Sequence, residues 1–158
     1  MALAKGTNSY VTREEANTHF TDRLDVAAWT SAPDAQKDQA LVTATKILDN
    51  LSWTGTAISD SQALAFPRSG TYYDPKLGHV ATLPETVPTR ITNATFELAY
   101  HLLNNDGLLD DTGSVTNLSV GQINLSIKTE ASKIPSSVKA IINPLLARGG
   151  SNSWWRAN

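Results

Sequence analysis

The chain contains no cysteine. That excludes disulfide scaffolds, zinc knuckles, iron–sulfur centres and thiol nucleophiles, and it suits a reducing compartment. Charge is also scarce. Only 18% of residues are Asp, Glu, Lys or Arg, against about 25% in an average soluble domain. Thirteen basic and fifteen acidic residues leave a net charge of −2, which argues against a duplex-DNA binder relying on a broad basic surface. Met1 to Gly6 contains no apolar run fit for a signal peptide, and no stretch approaches the length of a membrane span. These absences point to a protein that acts where it is made, or in an assembly built there.

What is present is one domain's worth of chain, 158 residues with 41% hydrophobic content. A chain of this length buries about two-thirds of its unfolded surface. Thr12 followed by Glu15 is a capping box, which starts a short helix running to about Arg23 with Ala16, Phe20 and Leu24 on one stripe. One helical turn is expected around Ala28-Trp29. Ser31, Pro33 and Asp34 open a second long helix to about Leu51, with Ser31 as N-cap and Ala40, Leu41, Ala44, Ile47, Leu48 and Leu51 as core face.

Trp53 to Pro88, with four prolines and three glycines, reads as a long irregular stretch. A third helix spans Pro88 or Thr89 to about Asn105, with Ile91, Ala94, Thr95, Leu98 and Leu102 on one face and Gly107 as C-cap. Alternation over about 115–128 then reads as a β-hairpin turning near Val120-Gly121. Pro135 to Arg148 is the last helix, kinked or shortened by Pro144. The expected fold is therefore mainly α: a bundle of about four helices, one β-hairpin insertion, a long Pro/Gly loop and an extended tail. Residues 1–148 form the domain and 149–158 a flexible C-terminal arm.

A catalytic constellation is missing. His19, His79 and His101 share no metal-ligand spacing and read as ordinary histidines at helix surfaces or packing edges. No phosphate loop, dinucleotide fingerprint or nucleophile elbow occurs. Adjacent Glu14 and Glu15 do not face one another on a helix, and Asp106, Asp110 and Asp111 lack calcium-loop spacing. No catalytic, cofactor or metal residue is assigned, and an enzyme is not expected.

Two features point to binding. Lys133, Lys139, Arg148 and Arg156 follow Glu130 without an acid, so that segment carries +4 and the preceding residues −6. At its end, Trp154, Trp155 and Arg156 suit stacking on single-stranded bases or anchoring in a protein interface. Four unclustered charges are a weak nucleic-acid footprint, which favours a protein partner. The other feature is Arg68, held in the Phe66-Pro67-Arg68-Ser69-Gly70 turn. It is either a partner contact or a pair with a carboxylate of its own chain.

The residues in order carry a family resemblance. They are Ser9-Tyr10-Val11-Thr12 with Glu14-Glu15-Ala16; Trp29; Ala40-Leu41, Ala44-Thr45 and Leu48-Asp49; Gln62 to Gly70; Ala94 and Glu97-Leu98-Ala99; a hairpin; and Pro144-Leu145-Leu146. The set, about Ser9 to Leu146, resembles the tailed-bacteriophage head-to-tail adaptor (head-completion) proteins often labelled "DnaT-like single-stranded DNA-binding". Phe66 stands where that family usually has Trp, and the tail after Gly149 matches no family feature.

The resemblance implies a virion structural protein of the neck, assembled in the host cytoplasm. It implies a homo-oligomeric ring, commonly of twelve copies, between portal and tail protein, passing DNA without specific binding and without a membrane or cofactor. Phe66, Arg68, Trp154, Trp155 and Arg156 would then contact portal or neighbouring subunits. The alternative is a single-stranded DNA-binding replication accessory protein.

Overall fold

A computed structural model describes residues 2–105, 117–120, 123–126 and 134–147. The helices are α1 (Arg13–Thr21), α2 (Ala27–Ser31), α3 (Asp34–Asp49), α4 (Thr89–Asn104) and α5 (Ser136–Ile142), the last running into a 3₁₀ turn at Asn143–Leu145. Between α3 and α4 lie β1 (Thr56–Ala57), β2 (Arg68–Ser69), β3 (Thr71–Asp74) and β4 (His79–Thr82); after α4 come β5 (Asn117–Val120) and β6 (Ile123–Ser126). The strands pair only as β1–β2, β3–β4 and β5–β6, each antiparallel. The fold is thus helices with small two-stranded sheets, and no barrel closes among the described residues. No described helix is long and apolar enough to cross a membrane.

Local chemistry accounts for the helix boundaries. The Thr12 hydroxyl accepts the Glu15 N–H at 3.2 Å, and the Glu15 carboxylate accepts the Thr12 N–H at 2.8 Å. Both orphan donors at the start of α1 are satisfied as the capping box requires. Ser31 is not the cap of α3. It closes α2, with its hydroxyl donating to the Ala27 carbonyl, and Pro33 precedes α3 without a side-chain cap. The short helix around Trp29 consumes the residue that the sequence offered to its neighbour.

The core lies where α4 packs against α3, α2 and α5. Ala40, Leu41, Ala44 and Leu48 are buried on α3, and Ile91, Ala94, Leu98, Ala99 and Leu102 on α4. The alanines remove bulk from both faces, so the large side chains seat between the helices. Burying each Leu or Ile contributes roughly 1.5–3 kcal/mol. The buried hydroxyls are satisfied: Thr95 donates to the Ile91 carbonyl at 2.8 Å, and Thr45 accepts the Tyr10 N–H at 3.3 Å.

Several expectations are corrected. Leu24 does not extend the α1 stripe; α1 ends at Thr21 and Leu24 is 91% exposed. The last helix is shortened as Pro144 implies: α5 ends at Ile142, and a 3₁₀ turn carries Pro144. Trp53 to Pro88 is not irregular but carries two ribbons. The β1–β2 ribbon is closed by glycine contact: a Cβ on Gly55 (φ +73°) would lie 2.2 Å from the Ser69 carbonyl oxygen. The hairpin expected at about 115–128 appears as β5 and β6, paired Leu118 with Leu125 and Val120 with Ile123. Gly107, Arg148 and the arm at 149–158 lie outside the described residues.

Candidate nucleic-acid interface

Two of the motif segments, Ser9–Thr12 and Gln62–Gly70, meet at one corner with Asp49, where Tyr10 and Phe66 face inward. Tyr10 is fully buried, and its hydroxyl donates to Asp49 Oδ1 at the end of α3. The same oxygen accepts the Ala65 N–H at 2.7 Å. Burial first, and the Asp49 hydrogen bond second, push the Tyr10 phenol well above its ordinary range, so it stays neutral. Asp49 therefore stitches the Ser9–Thr12 segment to the Gln62–Gly70 segment.

Phe66, joined to Pro67 by a cis peptide, is 2% exposed. Its ring lies edge-on to Tyr10 at 6.3 Å and to Trp53 at 5.1 Å. Arg68 donates from Nε to the Thr54 carbonyl at 2.9 Å, from Nη1 to the Ala65 carbonyl at 3.3 Å and from Nη2 to the Gly55 carbonyl. The guanidinium is occupied by backbone oxygens of its own chain, rather than by the carboxylate that the turn suggested. Phe66 is spent on the corner, and Arg68, half-buried, is anchored to it through three backbone carbonyls.

The outward-facing chemistry lies on the β3–β4 hairpin. Its register pairs Tyr73 with Val80 and Thr71 with Thr82 on one face, and Tyr72 with Ala81 and Asp74 with His79 on the other. Tyr73 is 53% exposed, and Val80 and Leu77 are exposed beside it. Among the described Phe, Trp and Tyr residues, only Tyr73 is exposed. Lys76 in the turn is also exposed, and no described acid pairs with it.

Asp74 holds this turn rigid. Its Oδ1 accepts the Lys76 N–H at 2.8 Å and Arg90 Nη2 at 3.1 Å, and its Oδ2 accepts the Tyr72 hydroxyl at 2.9 Å. Its backbone carbonyl takes the Gly78 N–H at 2.8 Å. The Lys76 backbone bond above all, then the Tyr72 and Arg90 bonds, hold the Asp74 carboxyl below its ordinary range against some desolvation. Burial, aided by Asp74, raises the Tyr72 phenol. Through Arg90 the turn is tied to the first residues of α4. The result is a braced ribbon displaying one aromatic face and one cation, a pairing that suits base stacking beside phosphate neutralisation.

Other candidates are placed differently. His19 stacks on Phe96 with ring centroids 4.6 Å apart, and its Nε2 lies 3.4 Å from Glu97 Oε1. Asn105 caps His101 through the His101 carbonyl at 3.0 Å. No group of three or more described His, Asp or Glu residues is arranged to hold a metal ion. Trp154, Trp155 and Arg156 lie outside the described residues. The Tyr73 face was missed in the sequence. Its signal was Tyr72-Tyr73 and Val80 flanking Asp74-Pro75-Lys76-Leu77-Gly78, a turn composition between two short strand-forming runs.

The described fold is a set of helices with small two-stranded ribbons, one of which exposes Tyr73 at its edge. A family model described as "Putative DnaT-like ssDNA binding protein" matches residues 2–157, and the chain belongs to that family. No curated protein and no solved structure matches. The match overturns the head-to-tail adaptor assignment, with its portal and tail partners and its DNA passage without binding. The resemblance lay largely in residues that the structure spends on the helix core and on the Tyr10–Asp49–Phe66 corner. Such residues carry a fold and are silent about its partner.

Proposed function

We propose that this protein binds single-stranded DNA as a non-catalytic replication accessory protein, with the β3–β4 hairpin as one contact. The observation that carries the reading is the family match over almost the whole chain. Tyr73 supports it as a stacking surface and Lys76 as a phosphate contact. Trp154, Trp155 and Arg156 add stacking and charge at the end of the +4 segment. In this reading the helices act together as a bundle that holds the ribbon. With a net charge of −2, binding draws more on stacking than on counterion release. Removing one phosphate-neutralising cation lowers the salt slope by about 0.7 on a single strand.

The test is a tryptophan-fluorescence titration with oligo-dT at low salt, repeated with duplex of the same length. Saturable quenching by the single strand, weakened by salt and stronger than with duplex, is expected. Absence of any response at micromolar protein removes the reading.

A further inference from the structure

A second site lies away from the hairpin, in an open cleft of about 320 Å³ between α1, α2 and the start of α3. Its apolar floor is Phe20 and Trp29, both 3% exposed, with ring centroids 4.7 Å apart. Two cations stand over that floor. The Lys37 ammonium is 5.7 Å from the Trp29 ring, and the Arg23 guanidinium lies at the edge, 5.7 Å from the Phe20 ring and 4.6 Å from that of Tyr100.

The donors in this cleft outnumber their acceptors. The Lys37 side chain is only 13% exposed, yet its nearest carboxylate oxygen, on Asp34, is 3.8 Å away, beyond hydrogen-bond distance. Asp34 is itself 68% exposed and lies as close to Arg13, at 3.7 Å. Arg23 Nη1 is 2.6 Å from Glu97 Oε2 but makes no aligned hydrogen bond. The Trp29 indole N–H donates to Asn17 Oδ1 at 3.0 Å. An indole can only donate, so this bond sets the Asn17 amide and leaves its Nδ2 donors without a protein acceptor. The Lys37 stem is largely covered while its ammonium has no hydrogen-bonded partner, so an oxyanion entering the cleft gains a charge-assisted contact there.

We infer that this cleft binds a phosphate group, with Lys37, Arg23 and Asn17 Nδ2 donating to its oxygens. The phosphate belongs either to a DNA strand or to a free anion. Two positive groups with a neutral amide donor match a tetrahedral dianion or a phosphodiester.

Nuclear magnetic resonance of the full chain reads the site through the Trp29 indole and the Asn17 side-chain amide, titrated separately with inorganic phosphate and with oligo-dT. Lys37→Gln removes the charge and Lys37→Arg keeps it. Arg23 is left in place, because its loss strands Glu97.

Saturable shifts at both reporters with either ligand are expected, weakened about tenfold in Lys37→Gln and restored in Lys37→Arg, with unchanged thermal stability. Shifts with phosphate assign a free-anion site; shifts with oligo-dT alone assign a strand phosphodiester. If neither ligand moves the reporters, or if Lys37→Gln responds as the wild type does, the inference is overturned. Phosphate binding without oligo-dT binding leaves the cleft standing and removes the proposed function. Quenching by oligo-dT without shifts at these reporters does the reverse.

Discussion

Tyr10 and Tyr73 are the same side chain put to opposite uses. Tyr10 is fully buried, edge-on to Phe66, with its hydroxyl spent on Asp49. Tyr73 stands 53% exposed on a two-stranded ribbon, paired across the strands with an exposed valine. The corner around Tyr10 satisfies its polar groups internally: Asp49 takes two donors and Arg68 gives to three carbonyls. The hairpin satisfies only its backbone and its brace, Asp74, and leaves its aromatic face unspent. A region whose donors and acceptors are all consumed within the chain serves the fold. A rigid region with surface left over is where a ligand can be met.

That contrast can be broken first at the corner. Phe66→Ala removes a ring that fills the space between Tyr10 and Trp53 and should cost about 3–5 kcal/mol of stability, read as the urea midpoint. Oligonucleotide affinity of the remaining folded protein should be unchanged. A loss of affinity greater than the loss of folded protein would show that the corner takes part in binding after all.

Asp49→Ala strips the acceptor from a buried hydroxyl and a backbone N–H, and should destabilise by about 3 kcal/mol. Tyr10→Phe removes the hydroxyl but keeps the Ala65 bond and should cost about 1 kcal/mol.

The hairpin should behave in the opposite way. Tyr73→Ala should leave stability within about 0.5 kcal/mol and reduce single-strand affinity by about 1–3 kcal/mol; unchanged affinity would remove Tyr73 from the interface. Lys76→Ala should lower the slope of log affinity against log salt by about 0.7, with little effect on stability.

The smallest effect concerns acid. The Asp74 carboxyl is held low in the folded chain, so its contribution is complete above the unfolded value of about 3.9 and is lost as pH falls through the lower folded value. Faster exchange of the Lys76 amide, relative to its intrinsic rate, should appear only on that acid side. Its appearance near neutral pH would mean that another group braces the turn.

Local rules were readable without a structure. The Thr12–Glu15 box closes within four residues, and the stripes of α3 and α4 repeat every turn, so both are written in short spans of chain. The burial of Ala40, Leu41, Ala44 and Leu48 follows from that spacing. The β3–β4 hairpin was hidden because Tyr72 and Tyr73 are both aromatic, which blurs the two-residue period, and because Pro75 and Pro84 made the stretch resemble loop. The direction of Arg68 was open for another reason: a guanidinium finds its acceptors among carbonyls 3, 13 and 14 residues away, and backbone carbonyls carry no sequence signature.

By itself the sequence determined which segments become helices, where α1 starts, that Pro144 shortens the last helix and that thiol chemistry is absent. Each depends on a propensity or a spacing that acts within a few residues. Only the tertiary structure decided that Phe66 turns inward and Arg68 onto carbonyls of its own chain, while Tyr73 and Lys76 remain outside. It also set Lys37 over Trp29 and Arg23 over Phe20 and Tyr100. Those outcomes depend on which distant segments reach each other, and burial is a property of the assembled chain, not of any residue in it.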